Sequence, residues 1–264
     1  GTGTDMRGTT DMRMGAVPGM AICTGMGTGM GRTTGTGRTT GPGTTVSAEP
    51  VPEAGEGALL TLTQWLSPAF PLGAFAYSHG LETAIAGGEV GSAAALEDWL
   101  GHLLRHGSGR ADAILLHAAL RGEDADDLAD LARALAASAE RARETEEQGA
   151  ALVRTVNALT GRADPPRPLP VALGVAARPL GLPRVRVAAL YVHAFASNLV
   201  SVATRAVPLG QTEAQGALAR LSPVVAEVAA ATADCPVEAI ASAAFGADLA
   251  AMAHETLPVR LFKT

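Results

Sequence analysis

Apolar positions recur at helical spacing from residue 58 to residue 264, and strict two-residue alternation is scarce. Leu96, Trp99, Leu100 and Leu103 fall at i, i+3, i+4 and i+7. Ser92 stands ahead of them as a cap, with Glu97 and Asp98 in the early turns where the helix dipole favours acids. Gly107-Ser108-Gly109 interrupts this helix, and Ile114, Leu115 and Ala118 mark the next. Asp124–Asp127 opens another, with the stripe Leu128, Leu131 and Leu135. The charged run Glu140–Glu147 reads as a solvated helix face, continued by Leu152, Val153, Val156 and Leu159 up to Gly161. After the stiff connection Pro165-Pro166-Arg167-Pro168, a short helix is predicted over Val171–Ala177. Arg184–Ala206 is apolar nearly all round, which places it at the centre of a bundle. Gln211–Ala231, with Pro223 as a kink, and Pro236–Glu255 complete the helices. The predicted fold class is all-α, a single-domain bundle of roughly eight to ten helices.

Residues 1–57 follow another pattern. They hold nearly half of the 31 glycines and no aromatic residue, in near-repeats such as Gly31-Arg32-Thr33-Thr34-Gly35. Such a segment buries too little apolar surface to offset its ordering entropy, so a disordered Gly/Thr-rich N-terminal tail is expected there. Its glycines do not meet the dinucleotide fingerprint, since Thr40 stands where the last glycine is required.

Composition narrows the function. Apolar residues make up 47%, enough for a core, and the net charge of −6 speaks against sequence-independent nucleic-acid binding. Lys263 is the only lysine, so a Walker phosphate loop is excluded. Cys23 and Cys235 provide no disulfide framework and suit a reducing compartment. Residues 1–20 lack a secretory apolar region, and Val187–Val202 carries His193, Ser197 and Asn198, too polar and short for a bilayer span. A cytoplasmic protein without membrane contact is the expectation.

Chemistry concentrates in Ser67–Glu82. Ala76-Tyr77-Ser78-His79-Gly80 is a relaxed nucleophile elbow, and a serine hydrolase is the alternative it raises. The elbow needs a buried strand before the serine, whereas Pro71 and Gly73 occupy that stretch. His102 and His106 share a helical face but have no third ligand nearby, and His193 reads as a hydrogen-bonded core histidine. No catalytic constellation and no metal site emerge. The apolar residues Leu257, Val259, Leu261 and Phe262 are unexplained by a solvated tail.

Three segments carry a resemblance. Ser67-Pro-Ala-Phe-Pro-Leu-Gly-Ala-Phe-Ala-Tyr-Ser-His-Gly-Leu-Glu82, Arg205-Ala-Val-Pro-Leu-Gly-Gln-Thr212 and Pro258-Val-Arg-Leu-Phe-Lys-Thr264 resemble, in this order, motifs of the urease accessory protein UreF family. The resemblance implies an all-α, non-enzymatic protein, a homodimer that bridges a UreD-type scaffold (also called UreH) and the GTPase UreG. That complex inserts nickel into apo-urease. GTP, magnesium and nickel are then expected on the partners, and no cofactor on this chain. Phe70, Phe75, Tyr77, Ser78, His79, Glu82, Arg205, Gln211, Arg260, Leu261 and Phe262 become the candidate partner-binding residues, with aromatic anchors at Phe70, Phe75 and Tyr77. Glu82 is expected to orient a positive group, within this chain or on UreG, and Leu257–Phe262 to be ordered by a partner.

Overall fold

The computed structural model describes residues 55–264, so the tail reading and Cys23 fall outside the described residues, save for Gly55–Gly57. The order is α1 (Glu56–Trp65), α2 (Leu81–Ala86), α3 (Ala93–His106), α4 (Ser108–Arg121), α5 (Ala125–Ala134), α6 (Ala139–Thr160), α7 (Leu169–Ala177), α8 (Arg184–Ala206), α9 (Gln211–Ala231) and α10 (Phe245–His254). Single 3-10 turns cover Ala74–Ala76, Arg178–Leu180 and Val237–Ala239. Among the described residues there is no strand, and the all-α expectation holds.

Side-chain caps set several boundaries. Ser92 Oγ accepts the Ala95 N–H at 3.2 Å and opens α3. Asp124 accepts from Asp126 and Asp127 at 2.9 and 3.0 Å to open α5, and Ser138 accepts from Arg141 at 3.2 Å to open α6. The proline-rich connection then crosses α6 at Gly149, where a Cβ would stand 1.9 Å from the Arg167 carbonyl oxygen. Only glycine lets the two backbones meet.

The core gathers Leu62, Trp65, Leu81, Leu96, Leu100, Leu103, Leu116, Leu152, Leu173, Leu199 and Leu221 from eight of these helices. The long helix α8 packs along α9 and against α4, α2 and α3. By length and composition α8 could cross a membrane, but half of its apolar window is buried inside the bundle, and that burial accounts for its apolarity. It is not buried all round. His193 is exposed, which corrects the core-histidine reading: the helix keeps one face outward, and His193 lies on it.

Two further boundaries differ from expectation. The last helix begins at Phe245, not at Pro236. The stretch before it is held by groups distant in sequence: Arg110 Nη1 donates to the Ala239 carbonyl at 3.0 Å, and the Ala243 N–H donates to the His106 carbonyl at 2.7 Å. These tertiary bonds satisfy the backbone without a helix. Pro223 lies inside α9, which continues through it.

Candidate functional site

The segment Phe70–Glu82 turns twice before it enters α2. Gly73 is left-handed and starts a 3-10 turn, Tyr77 is extended, and His79 and Gly80 follow with φ of 59° and 77°. A left-handed histidine is unfavourable unless its surroundings hold it. Here Nε2 of His79 lies 2.5 Å from Ser108 Oγ, and the ring packs edge-on to Phe195 at 4.8 Å. At Gly80 a Cβ would stand 2.7 Å from the backbone nitrogen of Ala251, so glycine allows α10 to seat directly on this turn.

That seating brings residues 257–264 back across the turn. The Lys263 N–H donates to the Ala76 carbonyl at 2.7 Å, and the Ser78 N–H donates to the Thr264 carbonyl at 3.0 Å. Ser78 Oγ also donates to the Thr264 carbonyl and accepts the Glu82 N–H at 3.2 Å. Glu82 then receives the N–H groups of Leu261 at 2.7 Å and Phe262 at 3.1 Å. The ring of Phe262 is buried, and the Arg205 guanidinium stands 4.7 Å above it while donating to the Phe75 carbonyl at 2.9 Å. Cation–π attraction and a charge-assisted hydrogen bond therefore tie the Arg205 motif to the other two. The three segments form one cluster.

Behind the cluster lies a network of charges. His254 is fully buried, with Nδ1 at 2.7 Å from Glu140 and Nε2 at 3.0 Å from Glu82. Glu140 also accepts from Arg260 at 2.6 Å. Glu144 pairs with Arg141, accepts from Thr264 Oγ1 at 2.8 Å and lies 3.5 Å from Nδ1 of His79. Burial pushes the Glu144 carboxyl up, but Arg141 and His79 outweigh it and hold the group at about 2. Burial pushes the His79 imidazole down, assisted by Arg141. Asp112 is raised to about 6, chiefly by burial, and accepts from Tyr191 at 2.7 Å. Tyr77 donates to Glu147, which also accepts from Lys263 at 2.9 Å; burial and this acid raise the phenol. These contacts correct the reading of Glu140–Glu147 as a solvated face, because Glu140, Arg141, Glu144 and Gln148 are all buried. One signal was present: 140, 144, 148, 152 and 156 follow one another at four-residue steps, so the acids continue the stripe of Leu152 and Val156. His254, Asp112 and Tyr191 are not singled out by sequence reasoning; their partners lie too far along the chain.

The expected site residues divide by exposure. Phe70, Tyr77, Ser78, His79, Glu82 and Phe262 are buried and positioned by internal contacts, whereas Phe75, Arg205, Gln211, Arg260 and Leu261 are exposed. Within the chain, Glu82 faces Nε2 of His254 at 3.0 Å. The expectation that a partner orders Leu257–Phe262 is corrected as well: this chain supplies the acceptors and the pocket for Phe262, while Val259 and Leu261 stay outward.

The elbow of a hydrolase is not built. Ser78 is buried and bonded to Thr264, and His79 faces Ser108 instead of the serine. His102 and His106 are exposed, with rings 4.9 Å apart. Among the described residues no group of three or more His, Cys, Asp or Glu is arranged to hold a metal ion.

Fold and site together define an all-helical protein whose buried charges shape its own surface. The sequence model of the UreF family matches residues 90–222. The urease accessory protein UreF of Cereibacter sphaeroides strain KD131 is 67% identical over 207 residues, covering 78% of this chain and 99% of the relative. The UreF proteins of Jannaschia sp. strain CCS1 and Paracoccus denitrificans are 53% and 48% identical, covering 95% and 97% of those proteins and 79% of this chain in each case. The chain belongs to the urease accessory protein UreF family, a chaperone-type family, and it is not an enzyme.

Proposed function

We propose that this protein bridges a UreD/UreH scaffold and the GTPase UreG in the cytoplasmic complex that inserts nickel into apo-urease. It acts as a homodimer and carries no cofactor, GTP, magnesium and nickel belonging to the partners. The observation that supports this reading is the division of the three motifs into an inner and an outer set. Ser78, Glu82 and Phe262 lock the clasp, and the clasp presents Phe75 and Leu261, 67% and 71% exposed, on the outside. Large apolar side chains held in water by a rigid frame are what a partner pocket takes up. Outward side chains of α10 at i, i+4 and i+7, Phe245, Leu249 and Met252, are exposed as well.

Co-purification of the full chain with UreD and with UreG, with mass by light scattering, tests the proposal. Stable complexes with both are expected, and a dimer in their core. Failure to bind either partner, under conditions where another UreF protein binds, overturns it.

A further inference from the structure

His254 is enclosed by acids that also hold the 257–264 segment. Glu82 carries the N–H groups of Leu261 and Phe262, and Glu140 carries Arg260. Each of these acids presents an oxygen to a different nitrogen of the same ring, at 3.0 and 2.7 Å, and neither is more than 10% exposed. A carboxylate only accepts hydrogen bonds, and a neutral imidazole has one N–H. The neutral ring must therefore turn a lone pair toward one buried carboxylate. The doubly protonated ring donates to both.

We propose that His254 is a proton-dependent latch: its imidazolium docks residues 257–264 by bridging Glu82 and Glu140, and loss of one ring proton releases the segment. The charges around the ring agree with this arrangement. Its nitrogens face Glu82 from α2 and Glu140 from α6; Arg260 of the segment pairs with Glu140, the carboxylate of the neighbouring Glu255 accepts the Glu140 N–H at 3.1 Å, and Glu144 follows one turn along α6. Arg141 offsets Glu144, and Lys263 offsets Glu147. Arg260 and the imidazolium offset Glu140 and Glu82. Removing the ring proton leaves this buried cluster with one unbalanced acid, next to the bonds that hold the segment. An uncompensated buried charge is unstable, and moving the segment lets water reach it. Docking thus takes up a proton, so it weakens as pH rises through the step at which the ring becomes neutral. The latch concerns how this chain holds its own segment and stands independently of the partner assignment.

Amide exchange at Leu261 and Phe262 in the full chain tests it, followed by NMR against pH and corrected for the intrinsic rate. Protection is expected to fall about tenfold or more, the size of one lost hydrogen bond to a charged group, with the midpoint of the His254 ring signals. In Glu140→Gln the side-chain amide can donate to the neutral ring, so the helices stay folded and the fall is suppressed. In His254→Gln protection should not vary with pH. Wild-type protection that stays flat while the ring titrates overturns the latch. So does a ring that keeps both protons throughout the folded range, or an undiminished fall in Glu140→Gln.

Discussion

The carboxylate of Glu82 accepts the backbone N–H of Leu261 at 2.7 Å, across 179 positions of sequence. One acid at the start of a six-residue helix thereby fixes the path of the 257–264 segment. Along that path Phe262 comes to lie under Arg205, and Lys263 reaches Ala76 and Glu147.

Replacing Glu82 should be costly for this reason. Glu82→Ala leaves the Leu261 and Phe262 amides and the buried His254 without their acceptor. Loss of one partner of a buried pair is expected to lower stability by about 3 kcal/mol, measured by urea unfolding. The segment should also become sensitive to protease in the folded variant. Stability within experimental error of wild type would show that the bonds to Glu82 are not formed in solution.

Removal of Pro258–Thr264 separates packing from partner contact. Because Phe262 is buried, truncation should lower stability by roughly 2 kcal/mol or more, as for other large buried apolar groups. Far-UV circular dichroism should still report a helical protein, since every helix ends before residue 255. An unchanged melting temperature in the truncated protein is the contrary result.

Gly80 and Gly73 offer a matched pair. Both are left-handed, but a Cβ at Gly73 meets nothing within 4 Å, whereas at Gly80 it meets the Ala251 backbone. Gly73→Ala should cost about 1 kcal/mol, the conformational penalty alone. Gly80→Ala should cost clearly more, because α10 must move off α2. Equal losses in thermal unfolding would show that α10 does not seat on Gly80.

Acid should act through Glu144. Its folded-state value of about 2 lies below the ordinary 4.5, so on acidification the unfolded chain takes up this proton first. The stabilisation is complete above about 4.5 and is lost as pH falls toward 2. On that difference Glu144→Gln should lower stability at neutral pH by on the order of 3 kcal/mol and flatten the acid limb of the stability profile. An acid limb as steep in the variant as in wild type would assign it to other carboxyls.

The sequence by itself determined the helices and where several of them begin. Leu96, Trp99, Leu100 and Leu103 line one face of α3, and Ser92 caps it, because periodicity and capping act within a few residues. It also marked the three motifs, although nothing local relates Ser67–Glu82 to Pro258–Thr264. The tertiary structure decided which charges are inside. Glu140 looks like part of an exposed face until Arg260, 120 positions away, supplies the opposite charge and His254 closes over it. It likewise decided that Phe262 is buried while Leu261 is not, through the acceptors on Glu82, and that Pro236–Ala244 is not α-helical, through Arg110 and His106. Helix formation is a sum of short-range preferences and can be read along the chain. The burial of a charge or a backbone amide depends on a partner that only the folded chain brings within reach.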